Sequence, residues 1–321
     1  MSQEHPSTRF SIIVVPDTQT VTKNHPDLLR QMGQRIQEQA RQHNAKMVLH
    51  LGDVVDNGAD DEQQYKLAAE VFGPIMKELP FIVSMGNHDY DNLLAKDRGS
   101  SMFNRYFGLD RLRNQPWFGG AFEEGKAENV YVKLDIGEVK LLFFALEFGP
   151  RDEVMNWVGE VLDAHPERQA ILITHSFMYP RGERTRPGDA HHPRTYPGAF
   201  GANDGEELWT KWLKGRKNVH SIYSGHHVPD HISYRFDQGD HGNLVFQSFQ
   251  NWQMAERGGE GRFRIVTFDL AAREMTVNVF HPVKNGSEDE TGYSLRMPLA
   301  EGAASVQFAK WEGWEKERHP Q

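Results

Sequence analysis

The sequence predicts an α/β fold, built as one domain over residues 1–321 around a core of two sheets. Two observations lead to this prediction. In the first half, short apolar segments alternate with helical patterns, which is typical of parallel strands joined by right-handed crossovers. In the second half, extended segments follow one another without long helices, which indicates antiparallel pairing. No internal repeat or linker divides the chain.

Strands and helices alternate at the start of the chain. Each predicted strand is a short apolar run that ends in a polar turn, and each helix carries apolar residues on one face. Pro26 suits the first turn of the helix that follows the first strand. The predicted strands cover 10–15, 46–51 and 81–85, and the predicted helices cover 26–43 and 61–72.

The remainder of the chain is predicted to hold a hairpin, two helices and further strands. Residues 90–129 are expected to form an irregular excursion over the sheet edge, and 181–205 a loop insert on the substrate side. A tail over 303–321 has aromatic residues at helical spacing and is expected to dock as a short helix, with a dimer contact as the alternative. The predicted strands are 130–134, 139–146, 170–173, 219–223, 231–236, 244–249, 262–270 and 275–280, and the helices 154–162 and 206–213.

The composition excludes several classes of protein. Of the 321 residues, 38% are hydrophobic and 25% charged, which is ordinary for a globular protein. The densest apolar run, 141–146, is far shorter than the roughly 20 residues of a membrane helix, so no membrane partner is expected. A formal net charge of −9 argues against a nucleic-acid partner, because such proteins usually carry a basic excess.

The absence of cysteine restricts the chemistry of any metal site. Disulfides, thiolate ligands and a cysteine nucleophile are all excluded, so a metal would need oxygen and imidazole ligands. The N-terminal residues show no signal-peptide pattern, which makes the cytoplasm the expected compartment. A secreted or periplasmic location is the alternative if a signal peptide has been removed. Oligomeric state is left open.

Polar side chains follow several of the predicted strands, at the point where each strand ends. Open α/β sheets bind ligands at the carboxyl ends of their parallel strands, so we expect these groups to meet. Oxygen donors mixed with imidazoles suit manganese, iron or zinc, and a central carboxylate can bridge two ions about 3.5–4 Å apart. The strand-end residues are Asp17, Gln19, Asp53, Asp56, Asn87, His88, His175, His226 and His227.

The order of these groups resembles the calcineurin-like metallophosphoesterase family. That family has the motifs Asp-x-His, Gly-Asp-x-x-Asp, Gly-Asn-His-Asp/Glu, a lone His and Gly-His-x-His, in this order. The segment Pro16-Asp17-Thr18-Gln19 is similar to a bacterial branch whose first motif is Asp-x-Gln. The resemblance implies a four-layer α/β/β/α sandwich of two mixed sheets flanked by helices. The matching segments here are Asp17-x-Gln19, Gly52-Asp53-x-x-Asp56, Gly86-Asn87-His88-Asp89, His175 and Gly225-His226.

The resemblance also implies an activity and a set of roles. It implies a metal-dependent phosphoesterase that hydrolyses phosphomono- or phosphodiester bonds through attack by metal-bound hydroxide, with two divalent ions (Mn, Fe or Zn) or only one. His88 would act as acid beside the leaving group, and Asp56 would orient it. Asp53 would bridge both ions. Asp17, with Gln19, would bind the first ion, and Asn87, His175 and His226 would complete the second.

Two departures from the family pattern fall on the first ion. Gln19 stands where the family has His, and Val228 stands where the last motif has its second His. His227, His231 or His241 could replace the missing imidazole. For His227, a hydrogen-bonded or solvent-facing turn residue is the expected alternative. The alternative function is therefore a binding protein or scaffold that has kept the fold and lost activity through an eroded first metal site.

Basic residues of the 181–205 insert are candidates for substrate binding. Arg181 and Arg184 are spaced to contact phosphate near His175, and a solvated loop is the equally weighted alternative. The expected substrate is a phosphorylated small molecule or a phosphodiester.

Overall fold

The computed structural model describes residues 8–92, 98–188, 191–229, 231–288, 294–302 and 305–316, and it contains two mixed sheets of seven strands each. The strands in chain order are β1 (Arg9–Val15), β2 (Ala45–His50), β3 (Phe81–Val83), β4 (Phe118–Ala121), β5 (Val130–Ile136), β6 (Val139–Leu146), β7 (Gln169–Thr174), β8 (Val219–Ser224), β9 (Ile232–Gln238), β10 (Leu244–Gln250), β11 (Phe263–Asp269), β12 (Glu274–His281), β13 (Gly286–Glu288) and β14 (Ser294–Pro298).

Helices flank the two sheets. They are α1 (Gln19–Asn24), α2 (Pro26–Gln42), α3 (Glu62–Glu78), α4 (Ser101–Phe107), α5 (Asp152–Ala164) and α6 (Gly205–Leu208), the last continuing as a π-helical turn over Trp209–Leu213. No helix within the described ranges is long and apolar enough to cross a membrane.

Each sheet contains a parallel centre, and this is what brings distant residues together. The first sheet has the order β13-β12-β11-β1-β2-β3, with β14 also paired to β12, and its β1, β2 and β3 run parallel. The second sheet has the order β4-β5-β6-β7-β8-β10-β9, and its β6, β7, β8 and β10 run parallel. The carboxyl ends of the parallel strands within each sheet therefore lie along one edge.

One apolar core joins the two sheets. Ile13 and Leu49 of the first sheet and Phe143 and Phe246 of the second belong to the same buried cluster. A second cluster packs α5 and α6 against the outer face of the second sheet, while α2 and α3 cover the first. The sandwich expected from the family resemblance is confirmed, because both sheets bury one face against each other and the other against helices.

Two segments differ from the sequence-based expectations. Residues 90–129 are more regular than expected, since they include α4 and β4. The tail does not form the expected helix, because residue 308 pairs with Leu299 as an isolated bridge and a single 3-10 turn follows at Trp314–Lys316. Its aromatic residues dock instead as an extended segment, with the Phe308 ring centroid 4.4 Å from that of His220. Residues 303–304 and 317–321 of the tail lie outside the described residues.

We expect the contact between His220 and the docked tail to make the stability of the fold sensitive to acid. His220 is 1% exposed and its Nε2 donates to the Val306 carbonyl at 2.7 Å, while burial lowers its pKa to about 4. The unfolded chain binds this proton near pH 6.5, so the contribution is complete above that pH and is lost as the pH falls toward 4. We expect His220 to reduce the free energy of unfolding by about 2 kcal/mol between pH 7 and pH 5.

Denaturant titrations at both pH values test this expectation. The variant His220→Gln keeps a donor for the carbonyl but does not titrate, so its loss of stability over the same interval should be smaller by about that amount. Equal pH dependence in the two proteins would contradict the prediction.

Candidate metal centre

Asp53 lies at the centre of the site, in a strained turn that follows β2. Its backbone adopts φ 50°, an uncommon conformation for a residue with a side chain and one that is typical of functional sites. One carboxylate oxygen, Oδ1, accepts from the His88 backbone N–H at 3.0 Å. The other, Oδ2, lies 3.1 Å from Nε2 of His175. A Cβ on Gly86 would come within 2.0 Å of Oδ1, so only glycine fits there.

Asp17 follows β1, the parallel neighbour of β2, and lies at the same edge of the sheet. Its Oδ1 accepts from the His226 backbone N–H at 2.9 Å and from Nδ2 of Asn251 at 3.2 Å. A Cβ at Gly225 would lie 2.1 Å from Oδ2, which explains the glycine before His226. The two hydrogen bonds to Oδ1 fix the carboxylate and leave Oδ2 as the oxygen that could bind a metal ion.

Two histidines are oriented through backbone carbonyls. Nδ1 of His175 donates to the Leu51 carbonyl at 2.8 Å, and Nε2 of His226 donates to the His191 carbonyl at 2.9 Å. Metal-binding histidines usually hold one ring nitrogen in this way, leaving the other as a ligand. One donor atom from each of Asp53, His175 and His226 lies within 4.8 Å of the other two, and we call these residues the triad.

Buried oxygen atoms without hydrogen-bond partners lie on the residues expected to bind metal. Within the described part of the chain, Asp17 Oδ2, Gln19 Oε1 and Asn87 Oδ1 are buried without a partner. Unpaired buried polar atoms are unfavourable, and each normally has a structural reason. These oxygens, together with the imidazoles of the triad, fit a centre for divalent ions.

Electrostatics support the same interpretation. Asp17 and Asp53 are 3% and 1% exposed. Burial raises the pKa of Asp17, and it would raise that of Asp53 if the charges of His175 and His88 did not lower it. Burial lowers the pKa of His226 to about 3 and keeps its ring neutral, as a ligand must be. Although burial lowers it, the pKa of His175 is raised to about 9 by the buried carboxylates of Asp53 and Asp17, so this edge favours positive charge, as a site for a metal cation would.

His88 borders a cavity of about 270 Å³ at this edge. Its Nδ1 donates to the backbone carbonyl of Asp56 at 2.7 Å, which leaves Nε2 as the remaining ring nitrogen. The carboxylate of Asp56 instead contacts Nζ of Lys23 at 2.5 Å. Asp56 therefore orients His88 with its main chain, and the expectation that its carboxylate does so is wrong.

A substitution at Asp56 follows from this correction. In Asp56→Ala the carbonyl that holds His88 remains, and only a half-exposed ion pair with Lys23, of the kind that stabilises a protein little, is lost. We expect kcat for phosphoester hydrolysis to change by less than about threefold, since His88, which the family resemblance predicts to act as the acid, would still be positioned. Steady-state kinetics test this, and a fall of 100-fold would restore a direct role for the carboxylate.

Two of the other expected site residues lie elsewhere. Arg184 is 5% exposed and donates to Asp237 at 2.5 Å and Glu206 at 3.0 Å, so it anchors the insert and is not available to substrate. His241 precedes β10 at the opposite end of the sheet, about 20 Å from the triad by strand length, and bonds to the Gly215 carbonyl. Arg181 is exposed on the insert.

His227 is turned away from the carboxylates. Its Nε2 lies 3.1 Å from Ser176 Oγ, and its ring packs on Tyr179 at a centroid distance of 4.5 Å. Val228 is 37% exposed, and its apolar side chain offers no metal ligand at the position where the family has its second His. His231 places Nδ1 3.3 Å from the Asn251 carbonyl.

The sequence does not predict the roles of two residues that are important to the site. Asn251 directly follows β10 and fixes Asp17, and its position after an apolar strand was the available signal. Asp89 is fully buried and its carboxylate accepts from the backbone N–H groups of Val54, Val55 and Gly86 at 2.8–3.3 Å. It thereby joins the turn holding Asp53 to the turn holding Asn87.

Solved structures with similar folds include two phosphatases. A dimetal phosphatase from Danio rerio superposes with a TM-score of 0.58 at 12% identity, covering 90% of this chain and 98% of that one. A purple acid phosphatase from yellow lupin (Lupinus luteus) seeds gives a TM-score of 0.54 at 13% identity, covering 90% of this chain and 54% of that one. At these identities the likeness establishes the fold.

Sequence comparisons extend the relationship. The uncharacterized protein YvnB of Bacillus subtilis (strain 168) is 28% identical over 304 residues, or 89% of this chain. The chain spans only 22% of that relative's length. The family model for calcineurin-like phosphoesterases matches residues 10–230, which include every strand end that contributes to the triad. The chain belongs to the calcineurin-like phosphoesterase family.

Proposed function

We propose that this chain is a hydrolase that cleaves phosphoesters at a centre of two divalent ions. The observation that carries the proposal is the convergence of buried, unpartnered oxygens with oriented imidazoles at the ends of parallel strands from both sheets. Asp17, Gln19 and Asp53 would hold one ion, and the triad would hold the other. The oxygen of Asn87 would join the triad.

Bound ions would lower the pKa of water and stabilise negative charge on the phosphoryl oxygens. The chain's own residues would supply position and a proton. Asp53 would align the ions because its two oxygens face different partners, the His88 backbone N–H and the His175 ring. The hydrogen bonds from His226 and Asn251 would keep Asp17 in one orientation, so little rearrangement would accompany binding.

His88 would act as the general acid. The charge of Asp53 raises its pKa, with a further contribution from the hydrogen bond to the Asp56 carbonyl, so more of it is in the imidazolium form at a given pH than for a free histidine. That form would donate a proton to the departing alkoxide from Nε2. Its positive charge would also stabilise the phosphoryl oxygens.

The cavity beside His88 favours a phosphodiester over a phosphomonoester. Its lining includes Asp91 and Asp56, whose carboxylate is already paired with Lys23, and among the described residues that line it there is no Lys or Arg. A monoester dianion would need additional positive charge there, whereas a diester carries a single negative charge. A small-molecule phosphodiester is therefore the substrate that we propose. Nucleic acid is disfavoured by the formal net charge of −9.

Metal removal and reloading test the proposal. Protein stripped with a chelator should hydrolyse neither bis(p-nitrophenyl) phosphate nor p-nitrophenyl phosphate, and Mn²⁺ should restore turnover, with higher kcat/KM for the diester. If neither ester is hydrolysed with Mn²⁺, Fe²⁺ or Zn²⁺, the proposed activity is contradicted. Faster turnover of the monoester would still support the hydrolase activity but would contradict the preference for a diester.

The second candidate is a binding protein or scaffold with an eroded first metal position. Gln19 and Val228, where the family has imidazoles, favour this alternative. Metal analysis of purified protein separates the two candidates. One or two ions per folded chain support the hydrolase, and a folded, metal-free chain that takes up no ion supports the scaffold.

A further inference from the structure

A second cavity adjoins the cavity that His88 borders, and the two share Tyr90 in their linings. It has a volume of about 80 Å³. Phe148 links it to the triad, because its ring centroid lies 5.0 Å from that of His226 and its backbone carbonyl accepts at 2.9 Å from Arg98, which lines the cavity. None of the residues expected to bind metal is among the described residues of this lining. The second cavity is therefore a separate site beside the proposed centre.

Three polar atoms of this lining are buried without a hydrogen-bond partner in the described part of the chain. They are the hydroxyl of Tyr90, Nε of Arg98 and Oε2 of Glu128. Tyr90 and Glu128 are 2% and 7% exposed. The other oxygen of Glu128 accepts from the Ser100 hydroxyl, which orients the carboxylate. Buried polar atoms are normally paired, so these three atoms indicate a bound group that pairs with them.

The Tyr90 hydroxyl stays protonated and is therefore able to donate. Burial raises its pKa well above the ordinary value, and the carboxylates of Glu147 and Glu128 raise it further, against the opposing charge of Arg98. The cavity thus offers one hydroxyl that donates or accepts, one guanidinium N–H that donates and one carboxylate oxygen that accepts.

The charges of the lining balance one another. Lys126 pairs with Glu123 at 2.6 Å and Arg151 pairs with Glu147 at 2.8 Å, while Arg98 lies 3.6 Å from Glu147. An anionic ligand would meet the unpartnered carboxylate oxygen, and a cationic ligand would meet the guanidinium. Both would be disfavoured, so the lining selects a neutral group.

Hydroxyl groups fit the three unpartnered atoms. A hydroxyl donates to Glu128 and accepts from Tyr90 or Arg98, so two neighbouring hydroxyls would pair with the whole set. The volume is room for about two or three water-sized groups, which is the size of such a pair on a short carbon chain. Phe200 is 59% exposed in the same lining and offers an apolar surface to the carbon atoms.

We propose that the second cavity binds a neutral molecule with neighbouring hydroxyl groups, a polyol or a sugar, through Glu128, Tyr90 and Arg98. Two sources share this chemistry: the alcohol part of the phosphodiester, and a separate small molecule. The first source rests on the proposed function, whereas binding itself does not. These three side chains are binding residues, and they have no part in proton transfer.

Three probes with one carbon skeleton test the selection for a neutral ligand. Glycerol is neutral, glycerate is anionic, and 3-amino-1,2-propanediol is cationic near neutral pH. Saturation-transfer NMR on the purified full chain should show glycerol bound with a Kd of about 1–100 mM, as expected for so small a ligand. Each charged probe should bind at least about 10-fold more weakly. No saturable binding of glycerol, as expected if the cavity holds only ordered water, would overturn the proposal, and so would tighter binding of a charged probe.

Variants of the lining locate the binding. Tyr90→Phe removes only a hydroxyl and should weaken glycerol binding about 2- to 10-fold. Glu128→Gln removes the charge and should weaken it at least about 10-fold. The matched control is Tyr106→Phe, which removes the same hydroxyl from a tyrosine that donates to Glu62 and does not line the cavity, so binding should be unchanged. Wild-type affinity in both lining variants, with folding verified by circular dichroism, would contradict binding at this cavity.

Two esters separate the two sources of the ligand. p-Nitrophenyl 2,3-dihydroxypropyl phosphate and p-nitrophenyl propyl phosphate differ only in two hydroxyls. If the second cavity holds part of the substrate, kcat/KM should be at least about 10-fold higher for the hydroxylated ester, and Tyr90→Phe should reduce that ratio. A ratio of about one, with glycerol binding retained, assigns the cavity to a separate molecule.

Failure of this proposal is distinguishable from failure of the proposed activity. Glycerol binding is measured without turnover, so a protein that binds glycerol and hydrolyses neither ester contradicts only the hydrolase. A protein that hydrolyses the esters and does not bind glycerol contradicts only the second cavity's ligand.

Discussion

Replacing His88 by alanine is expected to lower kcat for an alkyl phosphodiester by about 10²- to 10⁴-fold, the usual contribution of a general acid. The loss should be smaller for a p-nitrophenyl ester, because nitrophenolate departs without a proton. Metal content should stay unchanged, since the contact of residue 88 with Asp53 runs through its backbone N–H, which alanine retains. Plots of log kcat against leaving-group pKa for both proteins measure the effect.

A matched control is His241→Ala. This histidine is exposed at the far end of the sheet and bonds only to the Gly215 carbonyl among the contacts described above, so kcat should be unaffected. Equal losses for good and poor leaving groups in His88→Ala would contradict proton donation. Such a result would leave His88 with charge stabilisation alone.

Asp53→Asn is expected to abolish tight metal binding, with affinity at least about 100-fold weaker and kcat falling to background. The amide keeps the size of the side chain but loses the charge that both halves of the proposed centre share. It also removes the carboxylate that His175 faces at 3.1 Å. Elemental analysis after gel filtration and calorimetry with Mn²⁺ and Zn²⁺ measure the loss.

Asp110→Asn serves as the control. The Asp110 side chain is 93% exposed, so this substitution removes the same charge from the surface of the protein. It should retain wild-type metal content. If Asp53→Asn retains both metals and remains folded, Asp53 does not bridge the ions and the proposed centre is wrong in its main element.

The convergence of strand-end groups could be predicted from sequence because parallel order has a simple geometric consequence. Asp53 and His175 are 122 positions apart in the sequence, yet each follows a strand with parallel neighbours in one of two packed sheets. The order of the motifs indicates the family, and the family resemblance predicts the four layers. The spacing of apolar residues predicts most of the core helices and strands, because each element buries one face.

What could not be predicted depends on atoms that residue type does not specify. Asp56 was expected to act through its carboxylate, but the carbonyl that every residue possesses holds His88. Arg184 was indistinguishable by sequence from a substrate-binding arginine until its carboxylate partners were in place. The tail spacing fits a helix, and contacts with His220 from a distant strand favour an extended path instead.

The buried carboxylate of Asp89 has a consequence for how the centre is assembled. By accepting from Val54, Val55 and Gly86, it clamps two ligand-bearing turns to each other with protein atoms alone. The spacing between Asp53 and Asn87 is then set during folding, before any ion arrives. Removal and rebinding of the metal ions should therefore be reversible. Binding should not require a loop to become ordered, because the turns already hold their positions.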